Sequence, residues 1–191
     1  GYRYTALGYT TAMEAAVPPL GARHALEELQ DTPIIDKGMF ILMGNNLLLY
    51  ELIKQGRFED LRNAVAWWLN AAKGYTIKLV NPGGIEMWKQ KSSNVTSLDD
   101  MIEHFEITPR QVIEALTNVG NELGLPHPIH IHCNNLGHSG NYTTTLDTMR
   151  TLDGRRAHIT HIQFHCYGGK VGKQPTSKVP AIIEHIAQHP N

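Results

Sequence analysis

Long apolar runs are missing from this sequence. Runs such as Leu47–Leu49 are far too short to cross a bilayer, so nothing here reads as a membrane span. Cysteine is scarce as well. Cys133 and Cys166 alone cannot make a disulfide framework in 191 residues, and a reducing cytoplasm is the expected compartment. Charge of one sign is not in excess: 17 Lys and Arg against 18 Asp and Glu leave a formal net charge of −1. With no basic block either, an electrostatic nucleic-acid footprint is excluded. No charged segment followed by a long apolar stretch opens the chain, so no export signal is visible. Repeats, low-complexity tracts and linkers are also lacking. The expectation is therefore a single domain segment over 1–191. Its 41% apolar and 18% charged composition suits a packed core rather than disorder.

Histidine is what the sequence has in quantity. There are eleven, unevenly spread: His127, His130, His132 and His138 form one group, and His158, His161 and His165 another. Histidine is the commonest metal ligand and titrates near neutrality, so these two groups are where chemistry is to be sought. Surface and core histidines are the plainer alternative.

The pattern of elements is alternating. Tyr9–Glu14 reads as a short strand, with Gly8 ending a helix before it. Pro18 and Pro19 open a helix running to Gln30. Ile34–Ile35 and Phe40–Met43 are candidates for the next strand, and Asn46–Lys54 for a helix closed by Gly56. Leu61, Ala64, Val65, Trp68 and Ala72 recur at helical steps, with Gly74 just beyond. Thr76–Val80 is a strand halted by Asn81-Pro82-Gly83-Gly84. An irregular insertion follows at about 83–108. Thr108 and Pro109 then start a helix with Val112, Ile113, Leu116, Val119 and Leu123 on one stripe. Ile129–Cys133 reads as a strand, Tyr142–Leu152 as a helix, Ile159–His165 as a strand, and Val179–Gln188 as a last helix. Such alternation means parallel βαβ units, in an open doubly wound sheet or a (β/α) barrel.

Side-chain parity favours the barrel. Side chains alternate across a strand, so Ile129 and Ile131 oppose His130 and His132, and Ile77 and Leu79 oppose Lys78. On the same reading Ile162 and Phe164 oppose His161, Gln163 and His165. Three strands would then turn ionisable groups toward one interior, near their C-terminal ends, where barrel enzymes keep their chemistry. Buried polar groups of this kind are costly unless paired or bound to metal. Alternatives stay open residue by residue. Lys78 on an edge strand would face solvent, and His132 bonded to a carbonyl would be a core histidine. His130 lies one pleat deeper than His132 and is the weaker ligand candidate, while His158 at a strand start faces solvent. A structural zinc knot of Cys133, Cys166 and histidines is disfavoured, since there is no CxxC pair.

Several segments carry a resemblance: MEAAVPPL, DTPIIDKGMF, GNN, GYTIKLVNPGGIEMW, LGLPHPIHIHCNNLG, GNYTTTLDTM and HITHIQFHCYGG. Together they resemble the A subunits of formylmethanofuran dehydrogenases and their relatives, the amidohydrolase subunits of formyltransferase/hydrolase complexes. Both are members of the amidohydrolase superfamily. The resemblance implies an α/β fold, a partial (β/α)8 TIM-type barrel covering about strands 2 to 6. The strand-1 HxH metal pair and the strand-8 aspartate of that superfamily have no counterpart here, which implies an internal segment ending where strand 7 would begin.

By the same resemblance, Lys78 matches the lysine that is carboxylated on its amine and bridges two metal ions. His132 and His161 resemble the strand-5 and strand-6 histidine ligands. Lys78, His132 and His161 are thus the expected catalytic and metal-binding residues, with zinc as the cofactor, binuclear in the complete subunit. Asn134, Asn135, Gln163 and His165 are the expected substrate contacts; turn formation is the alternative for the two asparagines. Paired metals make water acidic enough to attack a carbonyl carbon at neutral pH. The implied substrate is the N-formyl group of methanofuran or a methylofuran-like carrier, hydrolysed to formate and amine or formed in reverse. The implied partners are the other subunits of such a complex. The alternatives are a hydantoinase- or dihydroorotase-like cyclic amidase and a non-catalytic scaffold subunit. The segment alone, with open sheet edges, is expected to self-associate.

Overall fold

The computed structural model of the chain describes residues 1–91, 93–170 and 173–189. Pro190 and Asn191, read from the sequence as the approach to a further strand, lie outside the described residues, as does Ser92 of the expected insertion.

A short helix α1 (Tyr2–Ala6) leads through Gly8, at φ +87°, into strand β1 (Thr11–Val17). A 3-10 turn at Pro19–Gly21 precedes α2 (Ala22–Asp31), and β2 (Asp36–Leu42) follows. Then come α3 (Leu47–Lys54), α4 (Phe58–Ala71), β3 (Thr76–Val80) and α5 (Gly84–Lys91). The second half holds α6 (Pro109–Glu122), β4 (Ile129–His132), α7 (Tyr142–Leu152) and β5 (Ala157–Ile159). A two-stranded antiparallel pair, β6 (Tyr167–Gly168) and β7 (Thr176–Ser177), precedes α8 (Val179–Gln188).

The five strands β1 to β5 form one parallel sheet in which spatial order equals chain order. A doubly wound sheet reverses its strand order at a switch point; an arc of barrel does not. The sheet is therefore a sector of a (β/α) barrel. Ile77, Leu79, Ile129 and Ile131, all buried, join Val112, Ile113, Leu116 and Val119 of α6 in one core. The opposite face of β3 and β4 carries Lys78 and His130, buried too. The parity read from the sequence thus holds on both strands.

Local chemistry explains where most helices begin. Asn46 caps α3 by accepting from Leu48 and Leu49. Thr108 and Gln111 form a reciprocal capping box, and Pro109 occupies the first turn of α6. Gly74 is required where the chain leaves α4, because a Cβ there would collide with the Ile41 side chain of β2.

Ile34–Ile35, candidates for the second strand, lie in a bend before β2 with Ile34 at φ +79°, and two longer stretches depart from the sequence reading. The expected irregular insertion contains α5, whose start is set by Gly84 N bonding Asn81 O. The rest is ordered by polar contacts. Asp100 accepts from the Thr96 and Ser97 amides, and Arg110 grips Asp99 at 2.6 and 2.8 Å while bonding Thr151 of α7 at 2.6 Å. The second departure is the expected strand Ile159–His165, which ends at Ile159. Beyond it His161 adopts φ +54°, and Ile162–Phe164 is a 3-10 turn. The backbone there is captured by a side chain rather than a ladder: Asn141 donates to Phe164 O at 2.7 Å and accepts from Tyr167 N at 2.9 Å. The alternation of His161, Gln163 and His165 is therefore not strand parity.

Candidate metal centre

Lys78, His130 and His158 lie side by side on three neighbouring strands, since Lys78 registers with His130 and His130 with His158. They form a lower tier of the barrel interior. Lys78 Nζ is 2.6 Å from His130 Nδ1. The His130 ring stacks on His158, with centroids 4.5 Å apart and planes at 15°, and Phe40 of β2 packs against it at 4.9 Å. His158 is largely exposed as a residue, as expected from the sequence, yet its ring joins this row.

An upper tier sits one two-residue step further along β4, roughly 6.6 Å toward the C-terminal ends. Here His132 meets His161 at 5.2 Å and His165 at 5.4 Å between ring centroids, both edge to face. His161 is exposed on its turn; His165 is fully buried. Gln163, on the same turn, is exposed.

Electrostatics separates these groups from ordinary ones. Burial lowers the Lys78 amine to about 8. Burial, followed by the nearby Lys78 charge, lowers His130 to about 3 and His132 to about 4. Burial, followed by His132, lowers His165 to about 4. All three imidazoles are therefore neutral at pH 7, the form that ligates metal. Cys133 is pushed up to about 12 by burial, so it remains a thiol.

The upper tier suits a metal in kind. Both ring nitrogens of His165 are buried with no hydrogen-bond partner among the described residues, a condition that costs about 1–3 kcal/mol unless something else satisfies them. Two imidazoles sharing a tetrahedral zinc, each nitrogen about 2.1 Å from it, keep their ring centres roughly 5 Å apart. The two separations around His132 match that figure. Among the described residues no three His, Cys, Asp or Glu side chains converge into a ligand set, so the segment offers imidazole pairs with Lys78 beneath them.

A cavity of about 410 Å³ opens beside His132. Its walls come from α5 (Ile85, Trp88), from Asn81 and Gly84, and from the β4–α7 loop (Asn134, Asn135, Leu136, His138). Asn134 donates to Pro82 O at 3.1 Å, and Asn135, at φ +63°, donates to Val95 O at 2.6 Å. Both asparagines thus line the cavity while fixing its shape through backbone contacts. The Lys78–His130 contact was not read from the sequence, although parity and the strand register together contain it. The partnering of His165 with His132 was also missed, because it depends on the turn after β5.

A buried lysine and neutral imidazoles inside a parallel barrel sector define a class, and comparison agrees: the chain belongs to the amidohydrolase family, matched over residues 1–189. Among individual relatives, it is 48% identical to protein FwdA of Methanocaldococcus jannaschii over 97% of its length. It is 37% identical, over its whole length, to the A-type subunit of the formyltransferase/hydrolase complex Fhc of Methylorubrum extorquens. The chain spans about a third of each of these curated relatives. It also superposes, with TM-score 0.94 and 35% identity over its full length, on a chain of the Methylorubrum extorquens formyltransferase/hydrolase complex (FhcABCD), crystallised with methylofuran; it covers 35% of that chain.

Proposed function

We propose that this segment supplies part of the metal centre of a subunit that hydrolyses, or in reverse forms, the N-formyl bond of a methanofuran- or methylofuran-like carrier. The observation that carries the reading is the buried Lys78 with the His132, His161 and His165 rings gathered one strand step nearer the C-terminal side of β3 to β5. Its likeness to the two relatives named above gives the substrate class. Lys78, carboxylated on its amine, with His132 and His161 would hold zinc, and His165 adds a third imidazole beside His132. When bound, such ions supply Lewis acidity that polarises the formyl carbonyl and makes water acidic enough to attack near neutral pH. Attack at the formyl carbon, with cleavage of the C–N bond, yields formate and the free amine.

The chain's own residues prepare that step. Desolvation holds the Lys78 amine near the neutral form that carboxylation requires. Asn134 and Asn135 keep the loop after β4 against Pro82 and Val95, shaping the cavity that receives the carrier. Trp88 and Leu136 give that cavity an apolar wall; Gln163 and His165, the further candidate substrate contacts, sit on the turn after β5 and do not line it. In the complete protein the segment would work beside the other subunits of a multi-subunit complex. The test is formate release from an N-formyl carrier amine by the complete subunit with its partners. Release that a chelator abolishes is expected. Preferential hydrolysis of a cyclic amide such as a hydantoin, or no hydrolysis at all, contradicts the reading.

A further inference from the structure

We propose that His130 is a positioning residue that parks the Lys78 amine one strand step below His132, and that carboxylation of Lys78 requires this hydrogen bond to break. The inference rests on the reading of Lys78 as the carboxylated lysine. Lys78 and His130 are direct cross-strand neighbours, and the lysine tip bonds His130 Nδ1 at 2.6 Å. The residue opposite Val80, one pleat further on, is His132, whose ring meets His161 and His165 instead. The amine is thus drawn sideways into the lower tier, away from the imidazoles with which a bridging carbamate would share metal.

The ring of His130 is held firmly enough to do this. His158 stacks on it from β5 at 4.5 Å, Phe40 packs against it from β2 at 4.9 Å, and His127 lies 6.2 Å away. Four of the five sheet strands therefore contribute to one row: Phe40, Lys78, His130 and His158. The parked lysine is buried and has a hydrogen-bond partner. In loading, the neutral amine attacks the carbon of CO₂. An N–C bond forms, one C=O π pair moves to oxygen, and a nitrogen proton leaves to solvent. To share a metal ion with His132 the lysine tip would have to leave His130 and turn toward the next tier along β4.

The experiment uses the full-length subunit, stripped of metal and reloaded with zinc at graded concentrations of ¹³CO₂. Bound ¹³C-carbamate is read by NMR and zinc by elemental analysis, with no assay of turnover. His130→Phe keeps the stacking with Phe40 and His158 but removes the acceptor, and the CO₂ concentration for half-loading should fall about tenfold, equivalent to a ~1.4 kcal/mol hydrogen bond. His130→Gln, which keeps an acceptor, should load like wild type. Half-loading of a folded His130→Phe protein within twofold of wild type overturns the proposal. Wild type that takes up zinc but never ¹³CO₂ overturns the carbamate reading itself, and the parking role with it. Should His130→Phe fail to fold, crystal structures of the wild-type subunit with and without metal decide. The Lys78–His130 bond should be present only in the metal-free form, and its persistence in the loaded form refutes the proposal.

Discussion

Two glycine-to-alanine substitutions should move stability in opposite directions. Gly84 opens α5 at the wall of the cavity beside His132. A Cβ added there would collide with Asn134 Oδ1 and lie 3.2 Å from Val95 Cγ2. Asn134 is 1% exposed and its amide is committed to Pro82 O, so it cannot swing aside without orphaning that carbonyl. Losing this buried bond costs about 1–3 kcal/mol. Overpacking adds roughly 1–3 kcal/mol, while alanine returns less than ~1 kcal/mol of helix propensity at a first-turn position. Gly84→Ala should therefore destabilise the protein by about 2–4 kcal/mol. Gly120, inside α6, is the counterpart: its added Cβ would meet Ile77 Cδ1 at 3.6 Å and Leu125 Cδ1 at 3.9 Å, ordinary packing distances. Gly120→Ala should stabilise by about 0.5–1 kcal/mol through the lower entropy of the unfolded chain. Urea titration of the metal-free subunit followed by tryptophan fluorescence reads both, with Trp88 on α5 reporting the first directly. A neutral Gly84→Ala, or shifts of the same sign, would refute the placement of Asn134 against α5.

The lowered Lys78 gives a pH dependence of defined sign. Between about 8 and its usual 10.5 the unfolded chain holds a proton that the folded form has released, so stability of the metal-free protein should rise with pH across that window. Lys78→Met should remove the rise, measured as urea midpoints on either side of the window; an unchanged slope in the variant refutes the assignment. The isolated 191-residue segment should self-associate, because β1 and β5 each leave one edge without a sheet partner among the described residues. Sedimentation showing a clean monomer at high concentration would count against this.

Much of the fold was legible because its signals were local. Thr108 with Pro109 announced α6, α7 and α8 lie where the sequence reading put them, at Tyr142–Leu152 and Val179–Gln188, and Thr76–Val80 was bounded by Gly74 and the Asn-Pro-Gly-Gly turn. Helix α5 was not legible. It is short and polar, buries little beyond Met87 and Glu86, and follows residues that usually end structure. The stretch after Ile159 misled for a different reason: its polar–apolar alternation mimics a strand, while a distant side chain, Asn141, decides the backbone path. The site divides similarly. Parity placed Lys78, His130 and His132 on one face. Which histidine holds the lysine depends on the register between β3 and β4, a non-local quantity. His130, the weaker ligand candidate by depth, is the one that touches Lys78.

Lys78, His132 and His161 are expected to hold metal in the complete subunit, and zinc content measures this most directly. Full-length proteins carrying Lys78→Ala, His132→Ala or His161→Ala should each lose zinc and release no formate from an N-formyl amine. His24→Ala, on the exposed side of α2 beside Glu27, should retain both. Full zinc content and an unchanged rate in the His132→Ala protein would contradict the account.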